Sequence, residues 1–549
     1  MIGRELAELP PAAAPVGRTA PAARTLRGRL TVPALVIVLL MLAGAAIRLI
    51  VAHESLFADE LSTYWIVATH SFGGVISLMY STGKIQHAEI TPPLFFILSW
   101  LTTQISHSPE LVRAPSLVAG ILTIPVVYLL GLRTVGRTAG LLAAALTTLS
   151  PFMIYYSTEA RGYAAMTLLT TLSTLAMLLA LDTRRTRWWV LYGICSWAAF
   201  LTHYTCAFVL GAQFLWLLWA EPEARRAGVI ANLGALVGLL PWAPGLINDL
   251  NSPTLRILSA LSPFSAHYAR LYLEDWAIGY PVAGTAKLTD LPGTLALALL
   301  GLATILAVPA IALRTYRQGA EARLARSNKR VLLIVALALA VPIGESLASA
   351  LGNHLMDVRN LAASWPALAL TFAALLIAAG PRLRVATATL AIAAFTLAAG
   401  KMLDQRFQRP DYQAAAAFID DQARPGDVVI DESGVLSPGP LTGLEIALHR
   451  PIPVFRAGVA AERDHPFGFY DRIVPLSEAI PKAAAAAAGS RLFVVESRVH
   501  GGIVALTQRL NALVQSHIPS GYRRVAFRVY PGTVDTLMAV YAKLTRSRK

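Results

Sequence analysis

Apolar residues in this chain gather in long blocks that recur from residue 31 to residue 401, broken by short polar turns. Blocks of about 16–22 residues match the length of a helix that crosses the hydrocarbon core of a bilayer. Eleven candidates follow, at 31–52, 110–131, 138–156, 163–182, 188–203, 205–220, 229–247, 292–313, 331–350, 361–380 and 385–401. The segment Pro92 to Ser106, opening Pro92-Pro93-Leu94-Phe95-Phe96-Ile97-Leu98-Ser99-Trp100, is short for a span and is expected to lie at or dip into the outer surface. An ordinary crossing there is the alternative, and it would invert the loop holding Glu159. After Lys401 the pattern changes. Short apolar strands at Asp427–Ile430, Arg491–Val495 and Val525–Val529 alternate with helical stretches such as Tyr412–Ala423, which predicts a soluble α/β domain over 403–549. Its glycines form no dinucleotide fingerprint, and Ala483–Ala488 reads as a plain helix or linker.

Residues 1–30 are rich in Ala, Pro and Arg and read as a disordered cytoplasmic tail. The first apolar run exceeds a signal-peptide core, no convincing cleavage site precedes the acidic loop, and further runs follow, so it is expected to stay as a helix.

Composition agrees with a polytopic α-helical membrane protein: 55% of residues are hydrophobic, 14% are charged and mean hydropathy is +0.56. A net charge of +15 raises the question of nucleic acid. The excess instead sits in short turns, at Arg133 and Arg137, Arg184, Arg185 and Arg187, Arg225 and Arg226, Arg314 to Arg330, and Arg382 with Arg384. All of these fall on one face, which the positive-inside rule makes cytoplasmic, so no nucleic-acid partner is expected. With eleven crossings the termini lie on opposite sides and residues 403–549 lie outside. The two cysteines, Cys195 and Cys206, sit in apolar runs and offer neither a disulfide framework nor zinc spacing.

The opposite face collects the polar residues. Asp59 and Glu60 follow the first run in Ala58-Asp59-Glu60-Leu61-Ser62-Thr63-Tyr64-Trp65; Lys84, His87 and Glu89 precede Pro92; Glu159, Arg161 and Tyr163 lie in Tyr155-Tyr156-Ser157-Thr158-Glu159-Ala160-Arg161-Gly162-Tyr163. His203 and Tyr204, the stretch Asn248 to Leu291, and Asp357, Arg359 and Asn360 complete the set. Carboxylates near hydrocarbon are costly and mark function, and their recurrence at one surface implies a shared cavity there.

An acidic residue in a long first external loop, a Pro-Pro-Leu after a polar stretch, a Glu-Ala-Arg-Gly-Tyr segment and a late Arg-Asn-Leu before a Pro-containing helix together resemble the GT-C superfamily over about residues 31–401. More narrowly, the chain resembles the protein mannosyltransferase and aminoarabinose transferase group, with Pro410-Asp411-Tyr412 onward similar to the start of the periplasmic domain in that group. Related sequences often carry Arg-Tyr where this chain has Arg359-Asn360. The resemblance implies a GT-C fold of about eleven transmembrane helices and transfer of a sugar from a polyprenyl-phosphate donor to an extracytoplasmic glycan, lipid or protein. Abundant Ala and Arg suit a GC-rich bacterium, which places it in the inner membrane, among lipids, with the active site and C-terminal domain extracytoplasmic.

Such a transfer needs a base for the acceptor hydroxyl and cations for the departing phosphate. Asp59, with Glu60 beside it, is the catalytic candidate. Arg161 and Arg359, with Lys84 and His87, are candidates for the phosphate, since guanidinium is a permanently charged bidentate donor. Glu89, Glu159, Tyr163 and His203 are candidates for sugar or acceptor. Plainer roles stand beside these: Asp59 as a helix N-cap, Arg161 paired with Glu159, Arg359 paired with Asp357, and His203 as an interfacial histidine. No cofactor is expected, because a monophosphate leaving group carries less charge than a diphosphate. A divalent ion at Asp59, Glu60 and Glu159 stays open. The sugar is not legible, and a transporter, flippase or ligase of lipid-linked polymers is the competing class.

Overall fold

The computed structural model describes residues 32–81, 89–252, 264–279, 292–317, 329–353, 356–433, 441–458, 474–488, 490–499, 512 and 514–543. Its first part runs through α1 (Val32–Ala52), α2 (Asp59–Thr69), α3 (Phe72–Ser81), α4 (Leu94–Thr103), α5 (Pro109–Thr134), α6 (Arg137–Leu149), α7 (Pro151–Ser157) and α8 (Tyr163–Thr183). Among the described residues, eight helices are long and apolar enough to span a membrane, or nine if α6 and α7, bent by 60°, count as one. The eleven expected runs lie on helical segments, but 138–156 is divided between α6 and α7 and 229–247 between the helices Arg225–Leu239 and Ala243–Leu250. Thr186–Phe200 and Cys206–Ala220, however, have 15 residues each. At about 1.5 Å per residue they fall short of a ~30 Å core. α4, with 10 residues, is also too short to cross. It packs with α2 and α3 through Ile66, Val67, Val75, Met79, Phe95 and Phe96.

The α6–α7 bend has an identifiable cause. Pro151 opens α7 and lacks an N–H, which deprives the Thr147 carbonyl of its helical donor. Arg48 of α1, wholly buried, supplies the replacement: its guanidinium donates to the carbonyls of Thr147 and Thr148, each at 3.2 Å. A cation there also opposes the negative end of the α6 dipole. α7 then packs closely on α5, because a Cβ at Gly120 would come within 2.1 Å of Ser157 Oγ.

The basic turns do share one end of the bundle. Asp182 at the end of α8 receives Arg133 at 2.5 Å and also pairs with Arg330. Arg184 meets Glu223 at 3.0 Å, and Lys329 donates to the Ala220 carbonyl at 2.9 Å.

Beyond the helix Arg384–Met402, the described residues form a six-stranded sheet. Its strands are β1 (Val428–Asp431), β2 (Val454–Gly458), β3 (Val474–Pro475), β4 (Leu492–Val499), β5 (Tyr522–Tyr530) and β6 (Val534–Lys543), in the order β3-β2-β1-β4-β6-β5. β3, β2, β1 and β4 are parallel; β6 is antiparallel to both β4 and β5. Alternation along the strands feeds two cores. Val429, Phe493 and Val495 face the helix Tyr412–Gln422, while Val428, Ile430, Leu492 and Val494 face the helix Leu476–Ala486. The expected strands and the 412–423 helix are therefore present. The domain rests on the loop after α1: the Gln413 N–H donates to Ser55 Oγ at 3.1 Å, and Phe57 packs with Tyr412 and Val534.

Candidate active site

The loop after α1 ends on a strained residue. Ala58 has φ 53° and ψ −127°, a conformation natural to glycine and costly for alanine by roughly 1–3 kcal/mol. Asp59 is the first residue of α2 and makes no capping bond, so the N-cap reading fails. Its Oδ2 instead accepts from Arg359 Nη1 at 2.5 Å, while 39% of its side-chain surface stays exposed. Burial pushes the Asp59 pKa up, but Arg359 and then Arg161 pull it down further, leaving it below the ordinary value. Arg359 stands in a 3-10 turn, Val358–Ser364, whose N-cap is Asp357, and its Nε lies 3.2 Å from Asp357 Oδ2. The expected pairing of Arg359 with Asp357 is thus present, and Asp59 is a second partner that the sequence did not indicate.

Glu60, grouped with Asp59 in the sequence, has different surroundings. It is 1% exposed, and both of its oxygens are taken. Arg113 donates to it twice, Nε at 2.7 Å and Nη2 at 2.6 Å, and the Ala160 N–H adds a bond of 2.8 Å. Arg113 in turn donates to the carbonyls of Ala52, Glu54 and Ser55. Glu60 therefore ties the loop after α1 to α5 and to the Glu159 loop.

In that second loop the sequence-level pairing of Arg161 with Glu159 is overturned. Arg161 donates bidentately to Glu89, at 2.5 and 2.8 Å, and Thr91 also donates to Glu89 at 2.8 Å. A Cβ at Gly162 would come within 2.6 Å of the Thr202 carbonyl, so only glycine allows the loop to lie this close to the turn bearing His203. Glu159 is buried, and its Oε2 has no hydrogen-bond partner. Burial first, then Glu60 and Asp59, push its pKa up to about 8. The Tyr163 ring lies 5.1 Å from that of His203, whose Nδ1 meets Thr205 Oγ1 at 2.9 Å. Burial, then Arg161 and Arg359, lower the His203 pKa to about 3, so it is neutral at pH 7.

The bundle end thus joins Asp59, Arg359, Glu159, Arg161, Glu89, Tyr163 and His203. Lys84 and His87 lie outside the described residues. Among the described residues no three His, Cys, Asp or Glu side chains form a metal-ligand set. Asp59 is instead committed to Arg359, and Glu60 to Arg113.

Four further charged groups at or behind this site were not singled out from the sequence. Glu345, wholly buried in the helix Lys329–Ala348, faces Asp357, Arg359 and Asn360. Arg48 and Glu345 interrupt apolar runs, and an intramembrane charge is itself a signal of function. Arg113, inside the expected run 110–131, carries the same sign, whereas Arg409 carries no comparable one.

Residues 90–247 match the family described as dolichyl-phosphate-mannose-protein mannosyltransferase. Over that stretch the expected resemblance to the protein mannosyltransferase group is matched. The matched stretch includes Glu159, Arg161, Tyr163 and His203, while Asp59 and Arg359 fall outside it. No curated protein matches the chain by sequence. Among solved structures, it is similar to the apo oligosaccharyltransferase of Archaeoglobus fulgidus, with 14% identity, 85% of this chain and 69% of that chain covered, and a TM-score of 0.46. It is also similar to apo ArnT of Cupriavidus metallidurans, with 13% identity, 92% and 97% covered, and a TM-score of 0.39.

Proposed function

We propose that this chain is an integral-membrane glycosyltransferase that moves a sugar from a polyprenyl-phosphate donor to an extracytoplasmic acceptor. The observation that carries the reading is the partly open Asp59 carboxylate held 2.5 Å from Arg359 at the polar end of an apolar bundle. The acceptor oxygen attacks the anomeric carbon, the bond from that carbon to the phosphate oxygen breaks with its electron pair going to the phosphate, and Asp59 takes the hydroxyl proton. An aspartate with a lowered pKa is a weak base, so it acts late, as the hydroxyl gains acidity in an oxocarbenium-like transition state. The donor phosphate competes with Asp59 for Arg359. Once the guanidinium turns to the phosphate, Asp59 loses the partner that lowers its pKa and gains basicity. Arg161, pinned by Glu89, adds positive field rather than a mobile clamp.

Glu159 serves as a neutral hydrogen-bond donor to sugar or acceptor. At pH 7 it is protonated while Asp59 is ionised; raising the pH through about 8 ionises Glu159 and sets a second negative charge beside Asp59. Turnover is therefore expected to fall on the alkaline side with a midpoint near pH 8. Glu159→Gln, which cannot ionise, should lose that limb. An alkaline limb unchanged in the glutamine variant would remove Glu159 from this role.

The Asp59 end is assigned to the extracytoplasmic side because the basic turns occupy the other end. His53, with 79% of its side chain exposed, and Thr186, also exposed, lie on opposite sides of three crossings. Cysteines introduced at these two positions should react with an impermeant thiol reagent from opposite faces; the native cysteines are buried. Labelling of both from one face would defeat the assignment.

The direct test of function uses the purified protein in liposomes with polyprenyl-phosphate sugars and an envelope acceptor fraction. Acceptor-dependent release of free polyprenyl phosphate is expected. Movement of the intact donor across the bilayer without release would favour a flippase.

A further inference from the structure

The chain leaves the helix Arg384–Met402 and enters the C-terminal domain through Arg409, which is only 3% exposed. Its backbone N–H donates to Glu54 Oε2 at 3.0 Å, and Nη1 reaches the same oxygen at 3.3 Å. Nε lies 3.3 Å from Glu60 Oε2, Nη2 donates to the Thr158 carbonyl at 3.2 Å, and the guanidinium stands 4.5 Å from the centre of the Tyr155 ring. Glu54 and Glu60 flank Asp59 in the chain, while Tyr155 and Thr158 lead into Glu159. One side chain thus touches both loops that bear the candidate chemistry. Its backbone, meanwhile, is held by the sheet domain: the Thr533 N–H donates to the neighbouring Gln408 carbonyl at 2.8 Å.

We propose that Arg409 is a positioning residue through which docking of the C-terminal domain sets the geometry of the Asp59 and Glu159 loops. This rests on the glycosyltransferase reading. Arg409 does not meet the reacting atoms and acts through Glu60 and the Thr158 carbonyl. Glu54 and Glu60 are balanced here by Arg113 and Arg409, so losing one guanidinium leaves uncompensated negative charge next to the site. Glu159 is surrounded by Asp59, Glu60, Arg359 and Arg409 and by the hydroxyls of Tyr155, Tyr156 and Tyr163. Removing Arg409's charge therefore makes Glu159 harder to ionise.

The test compares Arg409→Gln and Arg409→Lys in the full-length protein in liposomes, reading kcat, donor KM and the pH profile of polyprenyl phosphate release. Arg409→Gln should lower kcat by about 10²-fold, the scale of a small displacement of catalytic groups. Donor KM should change less than about threefold, and the alkaline limb should move upward. Arg409→Lys keeps the charge but loses the fork, so the limb should stay in place while kcat recovers only in part. If the glutamine variant fails to fold, the lysine variant carries the test through its reduced kcat at unchanged KM. Wild-type kcat and pH profile in the folded variants, or a loss confined to donor KM, would overturn the proposal. Failure of the wild type to release polyprenyl phosphate would instead overturn the glycosyltransferase reading beneath it.

Discussion

Replacing Asp59 with asparagine is expected to slow release of polyprenyl phosphate by roughly 10² or more while donor affinity changes little. The substitution isolates the proton from the geometry. An asparagine carbonyl oxygen can still accept from Arg359 Nη1, which now bonds the carboxylate at 2.5 Å, so the loop after α1 and the 3-10 turn at 358–364 keep their contact. What disappears is the capacity to take a proton. Single-turnover measurement with bound donor separates this from a binding defect, and near-normal turnover in a folded variant would eliminate Asp59 as the base.

The adjacent position should behave in the opposite way. Glu60→Ala removes the carboxylate that Arg113 meets bidentately, leaving that wholly buried guanidinium with only the carbonyls of Ala52, Glu54 and Ser55. Breaking one side of such a buried pair costs roughly 3–5 kcal/mol, which should appear as a large fall in the thermal midpoint in detergent. Replacing Glu60 and Arg113 together by methionine should recover much of that loss, since two apolar side chains leave no orphaned charge. A Glu60→Ala protein that melts like the wild type yet turns over no donor would show that Glu60 takes part in the chemistry.

The contrast between these neighbours shows where sequence reading reaches its limit. The multi-pass helical class, the short α4, the gathering of basic turns at one end and the C-terminal α/β domain were all legible, because each is written in hydrophobic period and charge placement. Partner choice is not written there. For Arg161 the sequence offers Glu159, two residues away, as the plainer partner; its actual partner, Glu89, is 72 residues distant, brought in by the turn before α4. Asp59 and Glu60 are chemically near-identical in the chain, and only the arrival of Arg359 at one and Arg113 at the other tells them apart. Arg409 was illegible for the same reason, its contacts lying 251 and 355 residues earlier. Arg48, Arg113 and Glu345 differ, since a charge inside an apolar run is itself a warning that the sequence contained.

Ala58 gives the arrangement its direction in time. Holding an alanine at positive φ means the peptide that delivers Asp59 is committed before any substrate arrives, its entropy surrendered once, at folding, instead of at every turnover. The proposed base is thus preorganised by a backbone bend that residues with larger or β-branched side chains would resist, and whose relaxation in a glycine chain would return freedom to the carboxylate that bends with it.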